Sequence, residues 1–94
     1  MKALTQSEMA EFLSSQPLWC LADGKLVREW RFKDFVAAME FVNRIAIVAE
    51  DEGHHPDIDI RYNRVRLGLV THDAGGVTER DARLATLFSS EFPA

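Results

Sequence analysis

All three histidines of the chain, His54, His55 and His72, fall within nineteen residues of one another. Imidazole titrates near neutral pH and can both give and take a proton, so a cluster of three suits general acid–base work. Glu50, four residues before the pair, and Asp81, nine after His72, supply carboxylates that could orient the rings or stabilise their charge. Pro56 restricts the backbone just past the pair. Each of these residues also has a plainer explanation. A histidine at a helix C-terminus complements the helix dipole, and His-His-Pro can serve only as a helix stop. Thr78 and Asp81 have the spacing of a capping box, and Glu50 on a helix surface would be solvated. Three histidines and a carboxylate could also bind zinc or iron. Adjacent His54 and His55 diverge in either regular backbone, however, which makes chelation of one ion awkward. Residue types and spacing leave acid–base site, metal site and helix stop open.

The elements around these residues decide whether they meet. Lys33 to about Glu52 reads as the longest helix, its apolar stripe running through Phe35, Met39, Val42, Ala46 and Ala49, widened by Ala38 and Ile45. Gly53 stands where a left-handed C-cap is expected, directly before His54. The period then becomes two. Ile58, Ile60 and Tyr62 alternate with Asp57, Asp59 and Arg61, and Val65, Leu67 and Leu69 with Arg64, Arg66 and Gly68. These two stretches predict an antiparallel hairpin turning near Asn63. His54 lies nine residues before Asn63 and His72 nine after it, so the hairpin carries both to one edge of the sheet, within a residue or two of register.

Elsewhere Thr5-Gln6-Ser7-Glu8 has capping-box form and opens a helix to about Ser15, ended by Gln16-Pro17. Leu18–Ala22 and Lys25–Phe32 flank Asp23-Gly24, a hairpin signal. Asp73-Ala74-Gly75-Gly76 reads as a loop, and Glu79 to about Ser90 as a last helix with Leu84, Leu87 and Phe88 as its apolar contacts. The order α-β-β-α-β-β-α predicts an α+β domain: a single four-stranded antiparallel sheet with three helices on one face.

Ninety-four residues suffice for one domain, 1–94, and not for two. A net charge of −4 argues against a dedicated nucleic-acid binder, and the Arg61, Arg64 and Arg66 cluster is read as a solvated strand face. Cys20, the single cysteine, can form no intrachain disulfide. The polar residues after Met1 do not resemble a signal peptide, and no apolar run approaches a membrane span. A cytoplasmic location is expected.

The series Glu50-Asp51-Glu52-Gly53-His54-His55-Pro56, Tyr62, Thr71-His72 and Asp81 resembles the signature of the pterin-4a-carbinolamine dehydratases. That signature places an acidic or similar residue four before His-His-Pro, an aromatic five or six after it, a histidine nine further on and an aspartate beyond. Trp19, Phe32-Lys33-Asp34-Phe35, Tyr62-Asn63 and Leu84-Ala85 extend the resemblance over about Leu18 to Phe88. It implies a hydro-lyase that removes water from 4a-hydroxytetrahydrobiopterin to give quinonoid dihydropterin, in the recycling of the tetrahydrobiopterin used by aromatic amino acid hydroxylases. It implies no metal and no organic cofactor. His54, His55, His72 and Asp81 would be catalytic, with His54 and His72 as the acid–base pair and His55 orienting the pterin. Asp81 would hold an imidazole tautomer, Glu50 would support His54 or His55, and Trp19 would either wall the pocket or sit in the core. Where many members carry aromatics after His-His-Pro, this chain has Asp57-Ile58-Asp59, so aromatic stacking from that segment is not expected. Family members form homodimers or homotetramers, and some serve as dimerisation cofactors for a transcription factor. An interaction protein on the same fold is therefore the alternative reading.

Overall fold

Local hydrogen bonds at the ends of the elements set the path of the chain in the computed structural model, which describes residues 1–93. Thr5 Oγ1 accepts the Glu8 amide at 3.1 Å and Glu8 Oε1 accepts the Thr5 amide at 2.9 Å, the reciprocal cap that starts α1 (Gln6–Ser15). Asp23 and Gly24 both take positive φ, 52° and 75°, which matches a type I′ turn between β1 (Cys20–Ala22) and β2 (Lys25–Arg31). Asp34 caps α2 (Phe35–Glu52) by accepting the Ala37 amide at 2.8 Å. Gly53, at φ 64°, ends it. Tyr62-Asn63 joins β3 (Asp57–Arg61) to β4 (Arg64–Leu69), and α3 (Glu79–Glu91) follows a short 3-10 turn at His72–Ala74.

The four strands form one antiparallel sheet in the order β1-β2-β4-β3. Its three helices and strand order match the α-β-β-α-β-β-α expectation. In the sheet centre Leu26, Leu67, Leu69 and Val65 are fully buried toward the helices, against Ile45, Ala38 and Phe88. The opposite face is open and charged. There the register sets Arg31 beside Arg64 and Arg64 beside Arg61, a row of three arginines across β2, β4 and β3. No helix of the described residues is long and apolar enough to cross a membrane.

Three features differ from the pattern in the sequence. The buried line of α2 runs through Ala38, Phe41, Ile45 and Ala49, whereas Phe35 is 49% exposed and Ala46 lies on the surface. The helix is rotated about one residue from the predicted stripe because Phe41 enters an aromatic cluster, 4.9 Å from Trp30 and from Phe32 and 5.2 Å from Phe92. The mixed face of β2 is resolved by Arg28, which is buried among apolar neighbours. Its guanidinium lies 4.2 Å from the Trp30 ring centroid and donates to Ser89 Oγ at 2.8 Å and to the Pro93 carbonyl at 3.0 Å. Burial pushes its pKa below the ordinary arginine value. Finally, β3 is an edge strand, so Ile58 stays 38% exposed and Tyr62, in the turn itself, 66% exposed.

Candidate functional site

The site is assembled where α2 ends, β4 ends and α3 begins. Because Gly53 takes the left-handed conformation, the chain reverses there and the His54 amide bonds back to the Ala49 carbonyl at 3.2 Å. That bond ties His54 to the last turn of α2. On the other side, Arg80 of α3 donates to the Gly53 carbonyl at 2.9 Å and pins the two helix ends together.

Asp81 is the residue on which the geometry turns. Its carboxylate is wholly buried, and its two oxygens have different partners. Oδ2 accepts the Thr78 amide at 2.8 Å and the Thr71 hydroxyl at 2.7 Å. Oδ1 meets His54 Nε2 at 2.5 Å. The capping-box spacing of Thr78 and Asp81 and the tautomer-holding contact therefore coexist on one side chain. A carboxylate only accepts, so Nε2 of a neutral His54 carries the proton and Nδ1 keeps the lone pair. Among the described residues Nδ1 has no hydrogen-bond partner.

His55 is mostly exposed. Its Nε2 pairs with Glu50 Oε1 at 2.8 Å, both groups lying in solvent, so the pair orients the ring more than it stabilises the fold. Glu50 thus pairs with His55 and not with His54. His72, the first residue of the 3-10 turn, is exposed. The turn is closed by Gly75, at φ 70°, and by backbone bonds between Thr71 and Gly76.

His54, His55 and His72 line one cleft of about 290 Å³, with Thr71, Asp73 and Arg80. A larger cleft of about 520 Å³, lined in part by Met1, Phe12 and Thr86, holds no histidine, so side-chain chemistry singles out the smaller one. Trp19 is not among the cleft residues. It is 2% exposed in the core, edge-on to Trp30, and donates from Nε1 to Ser89 Oγ at 2.7 Å. Among the described residues no three His, Cys, Asp or Glu side chains are arranged to hold one ion. Thr71 and Arg80, which both line the cleft, carried no assigned role in the sequence. Thr71 was visible only as the neighbour of His72, and Arg80 only as one charge in the start of α3.

A model of the pterin 4 alpha carbinolamine dehydratase family matches residues 2–90. The chain belongs to that family. It is 62% identical over 85 residues to a protein of Acidobacterium capsulatum named "Putative pterin-4-alpha-carbinolamine dehydratase", covering 90% of this chain and 92% of the relative. A protein of the same name from Chloroflexus aurantiacus is 55% identical over 85 residues, covering 90% and 91%. The crystal structure of a transcriptional coactivator/pterin dehydratase from Brucella melitensis superposes with a TM-score of 0.86 at 40% identity, covering 95% of this chain and 97% of that one. Membership of the family agrees with the resemblance carried by His54-His55-Pro56, His72 and Asp81.

Proposed function

We propose that the chain dehydrates 4a-hydroxytetrahydropterins, with tetrahydrobiopterin as the parent cofactor being recycled. The observation that carries this reading is the shared cleft of His54, His55 and His72, in which one imidazole is held by a buried carboxylate. Loss of the 4a-hydroxyl requires a proton on the departing oxygen and removal of a proton from the adjacent ring nitrogen. The C–O bond breaks, water leaves and a ring C=N bond forms, giving the quinonoid dihydropterin. Two imidazoles lining one cleft can perform both transfers. His54 and His72 are the acid–base pair in this reading. Asp81 fixes the His54 tautomer, and His55, steadied by Glu50, orients the pterin. No metal or organic cofactor has a step in this scheme.

The test is direct. Substrate generated by an aromatic amino acid hydroxylase should lose water faster with the purified protein than without it. His54→Ala and His72→Ala should each lower kcat by roughly 10²- to 10⁴-fold with unchanged circular dichroism. Unaltered turnover in both variants would remove the site assignment.

A second reading, an interaction protein on the same fold, draws on the structural likeness to the Brucella melitensis protein, which is described as a transcriptional coactivator as well as a pterin dehydratase. Val36 and Ile47, 65% and 64% exposed, recur at helical spacing on α2, and β1 and β3 leave two open sheet edges. Both features support self-association as a homodimer or homotetramer, which sedimentation velocity would measure. Turnover without a measurable protein partner would leave the dehydratase reading alone.

A further inference from the structure

The last paired residues of the β3–β4 hairpin are Asp57 and Gly68, so continuing that register three residues further sets His54 level with Thr71 rather than His72. Thr71 is 8% exposed and His72 lies on the surface, as expected for neighbours that point to opposite sides. The Thr71 hydroxyl is inserted between two groups of the α3 N-terminus. It stands 2.8 Å from Thr78 Oγ1 and donates to Asp81 Oδ2 at 2.7 Å. A hydroxyl has one proton. With the Thr71 proton committed to the carboxylate, the Thr78 hydroxyl donates to Thr71 at 2.8 Å in preference to Asp81 Oδ2, which lies 3.4 Å away, and Thr78 Oγ1 in turn accepts the Arg80 amide at 3.3 Å. The bonds therefore run in one direction: Arg80 N–H to Thr78, Thr78 to Thr71, Thr71 to Asp81. The imidazole of His54 donates to the remaining carboxylate oxygen at 2.5 Å. Each bond in such a chain polarises the next.

From this arrangement we infer that Thr71 is a positioning residue for the reaction proposed above. Its hydroxyl fixes the rotation of the Asp81 carboxylate, so that Oδ1 stays aimed at His54 and holds the ring in the Nε2–H tautomer. The Thr78 amide holds Oδ2 at 2.8 Å and the Thr78 hydroxyl approaches it only at 3.4 Å; the Thr71 hydroxyl, at 2.7 Å, supplies the second short contact. The Thr71 backbone also brackets the His72 turn, its amide donating to the Gly76 carbonyl at 3.1 Å and its carbonyl accepting the Ala74 amide at 3.1 Å. One residue thereby ties the imidazole held by Asp81 to the loop that carries the other.

Thr71→Val retains the shape and removes the hydroxyl; Thr71→Ser restores it. Thr71→Ala repeats the test in case the second methyl of valine crowds Thr78. Long-range proton–nitrogen correlation spectra of the wild type should show His54 protonated on Nε2. In Thr71→Val that signal should give way to mixed tautomers, with kcat lowered about ten- to a hundredfold and KM little changed. Thr71→Ser should return both the signal and the rate. Thr5→Ala, which removes a distant cap in α1, should lose stability while keeping full turnover. If Thr71→Val or Thr71→Ala keeps the wild-type Nε2–H signal, or Thr71→Ser fails to restore it, Thr71 does not position His54. The tautomer readout is independent of turnover, so it decides the role of Thr71 even where the wild type fails to dehydrate the pterin.

Discussion

Replacing Asp81 with asparagine changes one oxygen to an amide and tests the link between fold and chemistry. Two short donors converge on Oδ2, the Thr78 amide and the Thr71 hydroxyl, with the Thr78 hydroxyl farther off at 3.4 Å, and only Nε2 of His54 faces Oδ1. An asparagine amide turned toward Thr78 would set two donors against each other in a buried site, at about 1–3 kcal/mol for each unsatisfied group. The asparagine oxygen therefore keeps the Oδ2 position and the NH2 group faces His54. A neutral imidazole can meet a donor only by moving its proton to Nδ1, so the tautomer inverts and the nitrogen left for the pterin becomes the wrong one. Inverting a catalytic imidazole in this way costs up to about 10⁴ in kcat in the serine proteases, and a fall of roughly 10²- to 10⁴-fold is expected here. Exchanging charge-assisted hydrogen bonds for neutral ones should also remove about 1–3 kcal/mol of stability, a Tm decrease of roughly 5–20 °C for a domain of this size. Stopped-flow absorbance on the 4a-hydroxytetrahydropterin, calorimetry and imidazole nitrogen spectra measure the three effects. A variant with the inverted tautomer and undiminished kcat would refute the reasoning.

Two further perturbations separate structure from chemistry. Ser89→Ala leaves both Trp19 Nε1 and the Arg28 guanidinium without their shared acceptor, so stability should fall by about 1–3 kcal/mol with turnover unchanged. A change in KM instead would show that Trp19 belongs to the pterin site. Arg64→Gln removes the middle charge of the Arg31–Arg64–Arg61 row and should raise stability by a few tenths of a kcal/mol, about 0.2–1, more at low ionic strength than at high. Urea midpoints at two salt concentrations test it, and a lowered midpoint at low salt would show that the row is held by something other than mutual repulsion.

The hairpin that brings the two ends of the site together was legible because strand periodicity and the Tyr62-Asn63 turn fix the pairing to within a residue or two. A difference of one residue mattered. Pairing of Arg61 with Arg64 places Thr71, not His72, level with His54, and this decides which side chain turns inward to Asp81 and which outward to the cleft. Alternation along a strand cannot supply the register itself. The phase of α2 escapes the sequence for a related reason: the helix offers two apolar lines about one residue apart, and only the aromatic partners of Phe41, contributed by β2 and the end of the chain, choose between them. The capping box at Thr78 was legible locally. That its carboxylate would also face His54, twenty-seven residues earlier, depended on a meeting of three elements that no local pattern encodes.

The divided Asp81 carboxylate has a consequence for how relatives are to be compared. A chain that drifted away from catalysis would be free to lose His55 or His72, since both are exposed and neither caps an element, whereas losing His54 would leave the buried Asp81 Oδ1 without its partner. It would not be equally free to lose Asp81, because the same group begins the last helix and accepts the hydroxyl of Thr71. The aspartate should therefore outlive the activity in a lineage that retains the fold for another purpose. Its presence testifies to descent, whereas the imidazoles facing the cleft testify to chemistry.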